Sequence, residues 1–490
     1  MAAKSILRLS ARVVTPRLAI LLVASLVAIG CGEFEPTKVT NPNITDKQFV
    51  GSPGAGAAWL RGTQRQFLNT LNIVVQNTEL ASDNYFNNYT TNSQQLDVPN
   101  PIYIDPYVSD IQSSIALLRN QATYGMDTVF PRDSLVKPND RAEMLFFRGS
   151  ANLFGGENYI ALPGSANGAV VSWQDLLASA IADFKEARSV STDAVAKQSY
   201  TLARARAYYR LGDKANAVAE ATALLAANPT FIRNAVFDGV NGPNNLMQGV
   251  LTSSVNNFQP LPRLDFLDPK YPNRGPNIQS PIAFLKAEEA HLIIAEALLS
   301  DNNVSAAKDR LKQLLTLVQS RAKESVDSRI QKRGRAGGKV LYPNTTDSKI
   351  AFGPGEPLLG GFVLSRADAN VTVPTVSGTS VTSARIDAIT TVDDGLYVLY
   401  LMRQEIFIAE GRRMADLGIR MPVAQTEILT NSNTVDGADY TKPVIPAFIP
   451  LAFGMDSFTY DQTAKTAVMA FDMNKIIVQN KTSPNVLPFN

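Results

Sequence analysis

Apolar positions recur at helical spacing over much of this chain, most clearly at residues 172–189. Ser172-Trp173-Gln174-Asp175 has the form of a capping box with aspartate in place of glutamate, and Leu176, Leu177, Ala180, Ile181 and Phe184 follow on one face. The pattern predicts an amphipathic helix. Residues 200–229, YTLARARAYYRLGDKANAVAEATALLAANP, predict two. Ala205 and Tyr208 share a face of the first, Gly212 turns the chain, Ala217 and Ala221 face back from the second, and Pro229 ends it. Small residues at these places let antiparallel helices approach closely, and their spacing matches the ~34-residue tetratricopeptide unit. One such unit cannot bury its own apolar face. Neighbours are available: residues 141–153 with 172–189 before it, and 284–299 with 305–322 after it. In the last pair Asn302 or Asn303 stands where a glycine would turn the chain. Trp59 to Leu80 has mixed helical spacing as well.

Between these segments the pattern dissolves. Ser82 to Tyr107 is loop-like, and residues 228–281 and 337–394 are rich in Gly, Pro, Asn and Thr, with short strand-like pieces at Phe362-Val363-Leu364 and Val371-Thr372-Val373. Structureless stretches of this length are uncommon in compact domains unless they serve a function, so ligand contacts are expected on the excursions more than on the helices. The predicted architecture is mainly α: a tetratricopeptide-like scaffold of helical hairpins with long irregular loop excursions and a few short strands.

Length and charge refine this picture. A chain of 490 residues exceeds one ordinary core. Residues 57–230 are expected to form an N-terminal helical part, and 231–490 a C-terminal part of helices and loop-rich excursions. Ahead of both, Lys4, Arg8, Arg12 and Arg17 precede an apolar run from Leu18 to Gly30, which reads as a secretory leader and falls short of the ~20 residues of a membrane-spanning helix. Cys31, the only cysteine, follows directly, so no disulfide can form within one molecule. Its position resembles the lipobox of bacterial lipoproteins, which implies lipidation at Cys31 and makes residues 31–56 a tether. Without residues 1–30 the chain carries 42 basic against 44 acidic residues, a balance that gives no support to nucleic-acid binding.

Few residues offer catalytic chemistry. His291 is the sole histidine, sits beside Leu292 and Ile293, and reads as a packed residue; no phosphate-binding glycine loop and no metal-ligand spacing occurs. Paired carboxylates among 44 acids leave a glycosidase open in principle. Binding chemistry is better represented. In SDNYFNNYTTNSQQLDVPNPIYIDPY, residues 82–107, Tyr85, Phe86, Tyr89, Tyr103 and Tyr107 alternate with Asp83, Asn84, Asn87 and Asn88. Aromatic rings suit the apolar faces of sugars, and amides and carboxylates suit their hydroxyls; the same tyrosines would equally serve to cover a helical core.

One stretch resists a simple amphipathic reading. RQEIFIAEGRRMADLGIR, residues 403–420, puts Glu410, Arg413 and Asp416 where an apolar stripe should continue, and Gly411 inside the run. On a continuous helix Glu410 would meet Arg413 and Arg412 would meet Asp416, as architectural pairs and not catalytic ones.

Taken in order, five segments resemble the SusD/RagB family of nutrient-uptake lipoproteins: RAEMLFFRGSANLFGGENYIALPG at 141–164, SWQDLLASAIADFKEA at 172–187, QSYTLARARAYYRLGDKANAVAEA at 198–221, FLKAEEAHLIIAEALL at 284–299 and the 403–420 stretch, which matches the family's late signature through Glu410, Gly411, Arg413, Asp416 and Leu417. Val444-Ile445-Pro446 only approximates the family's Pro-Ile-Pro segment, and Met414-Ala415 replace its usual aromatic. The resemblance implies a lipid-anchored protein on the surface of the outer membrane. Such a protein binds an oligosaccharide or other nutrient without a cofactor or metal and without enzymatic change, and passes it to a TonB-dependent, SusC-like β-barrel. Asp83, Tyr85, Asn88, Tyr89 and Tyr103 are the ligand residues so implied. The alternative is a lipid-anchored tetratricopeptide scaffold that organises envelope proteins without a small ligand.

Overall fold

The helix beginning at Trp173 starts as its capping box requires: Asp175 N donates to Ser172 Oγ at 3.2 Å, and Ser172 N donates back to Asp175 Oδ2 at 3.3 Å. The computed structural model describes residues 46–87, 94–252, 258–331, 340–365, 370–451 and 454–490. The leader and Cys31 lie outside these residues. A short helix, Asp46–Val50, belongs to the unit ending at Ser52; residues 53–490 form a second compact unit.

Among the helices of that second unit are α1 (Ala55–Leu80), α2 (Pro106–Tyr124), α3 (Pro138–Asn158), α4 (Trp173–Val190), α5 (Ala194–Leu211), α6 (Lys214–Ala227), α7 (Ala287–Ser300), α8 (Val304–Ser320), α9 (Val392–Phe407), the short α10 (Arg413–Asp416) and α11 (Met473–Gln479). From α2 to α8 each packs on the next, α1 lies on α2 and α3, and α9 lies on α7 and α8. The hairpin pairs α3/α4, α5/α6 and α7/α8 thus form the expected scaffold. Since α6 packs on α7, the expected boundary near residue 230 marks a change in chain character and not a break in the core.

Local chemistry explains the turns. Gly212 closes α5 at φ +76°, and Asn302 takes φ +57° in the equivalent place before α8, asparagine being the next best residue for a left-handed turn. Ala205, Ala217 and Ala221 are fully buried between α5, α6 and their neighbours, while Tyr208 is partly exposed and Tyr209 points inward. The segment at 284–299 is not helical throughout: its first residues belong to a strand, and helix begins only at Ala287. Where α1, α3 and that strand meet, Phe67, Phe146, Phe154 and Phe284 pack with ring centroids 5.2 to 6.3 Å apart.

Strands are short and mostly paired in twos: β1 (Tyr85–Asn87) with β5 (Phe258–Pro260), β2 (Ala161–Pro163) with β3 (Val170–Ser172), β4 (Ile232–Ala235) with β6 (Ile282–Lys286), and β7 (Lys323–Asp327) with β9 (Asn370–Pro374). A third strand, β8 (Lys349–Ala351), runs parallel to β11 (Thr466–Met469), which pairs antiparallel with β10 (Phe458–Asp461). Val371–Val373 lies in β9 as expected. Phe362–Leu364 forms no strand; Phe362 packs edge-on against Phe266 and Phe352.

Candidate functional site

The chain leaves α1 through a pinned turn. Ser82 Oγ donates to Glu79 O at 2.8 Å and Asn84 N donates to Ser82 Oγ at 3.3 Å, which directs Asp83 inward. There the carboxylate accepts from Arg413 Nε at 2.5 Å and Nη2 at 3.0 Å, from Arg263 Nη2 at 3.2 Å and from Gln404 Nε2 at 2.9 Å. Burial alone would raise its pKa, but the two guanidiniums outweigh burial and hold the carboxyl below its ordinary value.

The predicted pairing within residues 403–420 does not occur, because the segment is not one helix. Helix α9 ends at Phe407, and Ala409 (φ +61°) and Gly411 (φ +70°) carry the backbone through the left-handed region before α10. Each charge consequently finds a distant partner. Glu410 accepts from Lys270 Nζ at 2.5 Å and Lys286 Nζ at 2.6 Å. Asp416 pairs with Arg403 at 2.8 Å and with Arg210 at 2.9 Å. Arg412 Nη2 donates to Phe284 O at 2.6 Å, and Arg412 lies 3.8 Å from Glu289. Gly411 N donates to Glu79 Oε1 at 2.7 Å. A β-carbon on Gly411 would sit 3.1 Å from Val75 Cα and from Thr78 Oγ1, so close approach does require glycine there. These charges lash together the end of α1, the residues before β6, and α5, α7 and α9.

Of the residues proposed as ligand contacts, Asp83 and Tyr85 are fully buried and meet no solvent. Tyr85 packs its ring against Phe258. Tyr103 is half-buried and is joined through its carbonyl, which accepts from Gln425 N at 2.8 Å, to a different set of elements. Asn88 and Tyr89 lie outside the described residues. Asp105 caps α2 by accepting from Tyr107 N at 2.8 Å.

The strand period supplies what that set missed. On β1, Tyr85 faces the core while Phe86, one residue on, turns to the other side. There it meets Phe458 (centroids 5.4 Å) and Tyr342 (6.2 Å), which are 6.0 Å from each other. Tyr342 and Phe458 are only half-buried, and the Tyr342 hydroxyl is oriented by donating to Pro260 O at 2.8 Å. Beside this cluster, Asp97 Oδ1 accepts from Asn87 N at 2.9 Å. Enclosure pushes the neighbouring Asp456 carboxyl well above the ordinary range, and the Asp97 carboxylate adds to the shift. Aromatic ring faces with carboxyl groups close by are chemistry suited to a polyhydroxylated ligand. Tyr342 falls in the excursion of residues 337–394 where contacts were expected; nothing near Phe458 in sequence marks it.

His291 is 6% exposed and burial lowers its pKa to about 4, so it is neutral near pH 7. Among the described residues no group of three His, Cys, Asp or Glu is arranged to hold a metal ion, and no helix is long and apolar enough to cross a membrane.

Comparison with known structures identifies the fold. The chain is similar to a SusD superfamily protein from Bacteroides fragilis (TM-score 0.53, 13% identity, covering 80% of this chain and 99% of that one). It is also similar to a SusD-like carbohydrate binding protein from Bacteroides vulgatus (TM-score 0.50, 13% identity, 74% and 82%). No protein-family model matches the sequence, and no curated protein matches it either. The chain has the SusD-like fold, mainly helical with tetratricopeptide-like hairpins.

Proposed function

We propose that this protein is a SusD/RagB-type surface lipoprotein that binds a nutrient glycan without transforming it and passes it to a TonB-dependent, SusC-like β-barrel. The observation that carries the binding role is the aromatic cluster in which half-exposed Tyr342 and Phe458 pack on the buried Phe86, with the Asp97 and Asp456 carboxyls nearby. The SusD-like fold supports it, as does the carbohydrate binding named for the Bacteroides vulgatus relative. Cys31 behind an apolar leader supports lipid anchoring at the outer membrane. In this reading the ionic centre built on Asp83, Glu410, Arg413 and Asp416 is a structural hub that holds the ligand-bearing loops in register, and capture takes place on those loops.

A glycan array followed by calorimetry on residues 32–490 tests capture, and affinity purification of the lipidated protein from its host tests the partner. Binding of an unaltered glycan together with a co-purified barrel supports the proposal. A barrel or other envelope protein retained with no glycan bound favours the scaffold alternative, and appearance of shortened products over time would make the protein a glycosidase.

A further inference from the structure

A separate concavity of about 760 Å³ opens between α2, α3 and α4, under the exposed tip of the β2–β3 hairpin at Gly164–Ala166. Its walls present neutral hydrogen-bonding groups, Asn120 and Thr123 from α2, Asn152 from α3 and Ser179 from α4. A smaller hollow of about 160 Å³ adjoins it, and Arg119 lines both. The larger volume is that of an ordinary small-molecule site.

Arg119 is the anomaly in this groove. It is 5% exposed, its Nη1 donates to Pro163 O at 2.5 Å, and its Nε is buried with no acceptor. The other buried arginines among the described residues all have a carboxylate partner: Arg206 and Arg210 have Glu157, Arg263 and Arg413 have Asp83, Arg403 has Asp416, and Arg412 has Glu289. Arg119 forms no ion pair with any described residue. An uncompensated buried cation is costly by several kcal/mol, and the single bond to Pro163 O would be made as well by a neutral amide. The charges around it do not cancel it. Asp183 is held by Arg148 through bonds of 2.7 to 3.2 Å, and Asp127 is exposed at the rim. Glu427 lines the smaller hollow beyond ion-pair distance and accepts from Gln112 Nε2 at 3.2 Å and Asn431 Nδ2 at 2.8 Å.

We propose that this groove is a second saccharide-sized site whose occupant carries one carboxylate: Arg119 receives the carboxylate and the Asn, Thr and Ser side chains of the walls receive sugar hydroxyls. A guanidinium with free donors is the group best shaped for a carboxylate, and burial strengthens the pairing. Asp127 at the rim sets the polarity, acid end inward and neutral hydroxyls outward. This site shares none of its lining with the Phe86–Tyr342–Phe458 cluster, so it stands whether or not that cluster binds glycan.

The test is calorimetric or NMR titration of residues 32–490 with galacturonate and glucuronate, with galactose and glucose as neutral counterparts, and with acetate as the bare anion. Uronates are expected to bind at least tenfold more tightly than the neutral sugars and acetate. Arg119→Met, which keeps the apolar stem, and Ser179→Trp, which fills the groove from an exposed helix position, are each expected to weaken uronate binding at least tenfold, whereas Arg385→Gln, at a partly exposed pair that lines neither site, leaves it unchanged. Should Arg119→Met fold poorly by circular dichroism, Ser179→Trp decides. Equal binding of acidic and neutral sugars, acetate binding as tightly as the uronates, no uronate binding at all, or uronate binding that survives Ser179→Trp would each overturn the assignment.

Discussion

Arg413 clasps Asp83 through two hydrogen bonds across 330 residues of sequence, joining the turn after α1 to the short helix after α9. With Arg263, Gln404 and Asn474 around them, every member has a partner inside the core. Buried ion pairs contribute little net stability, but removing one partner strands the other.

Asp83→Asn is therefore expected to destabilise the fold by about 3 to 5 kcal/mol, because two guanidiniums lose their carboxylate. Arg385→Gln, which opens the partly exposed pair with Asp394, is expected to change stability by less than about 1 kcal/mol. Urea unfolding of the two variants beside the parent checks the contrast; similar losses would show that the Asp83 hub is not special.

Glu79 makes stability depend on pH. Burial raises its pKa from 4.5 to about 7, against the opposing hydrogen bonds from Asn84 and Gly411. A raised folded-state value means that the folded protein holds its proton where the unfolded chain releases it. This contribution is complete below the unfolded value and is lost as pH rises through the folded one, amounting to about 3 kcal/mol. Thermal midpoints should fall between about pH 5 and pH 8 in the parent, and Glu79→Gln should flatten that slope. A slope unchanged in Glu79→Gln would assign the titration elsewhere.

Gly411→Ala tests the close approach to α1. Gly437 has a similar backbone, φ +78° against +70°, but nothing within 4 Å of a would-be β-carbon. Gly437→Ala should cost about 1 kcal/mol for the left-handed backbone alone, and Gly411→Ala about 1 to 3 kcal/mol more for crowding against Val75 and Thr78. Melting curves of both variants read the difference directly.

On the loop face, Phe458→Ala is expected to weaken glycan binding about tenfold, equivalent to ~1.4 kcal/mol, with little effect on the melting temperature since the ring is half-exposed. Calorimetry with a glycan identified on the array checks it.

For the anchor, Cys31→Ser is expected to move the protein from the membrane pellet to the soluble fraction, since no acyl chain can then be attached at that position. Fractionation of host cells expressing each form gives the answer.

Sequence by itself determined the hairpin helices α4 to α6. The Ser172–Asp175 capping box, the left-handed turn at Gly212 and the alanines at 205, 217 and 221 act within one or two turns of chain, so their consequences are local and readable. The tyrosine-rich segment after α1 also announced itself, but period-two alternation of a strand, not composition, sent Tyr85 to the core and Phe86 to the face bearing Tyr342 and Phe458.

Only the tertiary structure decided where the charges went. Spacing at 410, 412, 413 and 416 suggested neighbours on one helix, but two left-handed residues end that helix, and each charge satisfies itself with a partner brought from elsewhere by the packing. Burial forces this outcome: a charge removed from water must find its counter-charge in three dimensions, and sequence separation carries no information about which one that will be. The same reason hid Arg119, whose distinction is the carboxylate partner it lacks among the described residues, a property that exists only once the other buried arginines there have found their own.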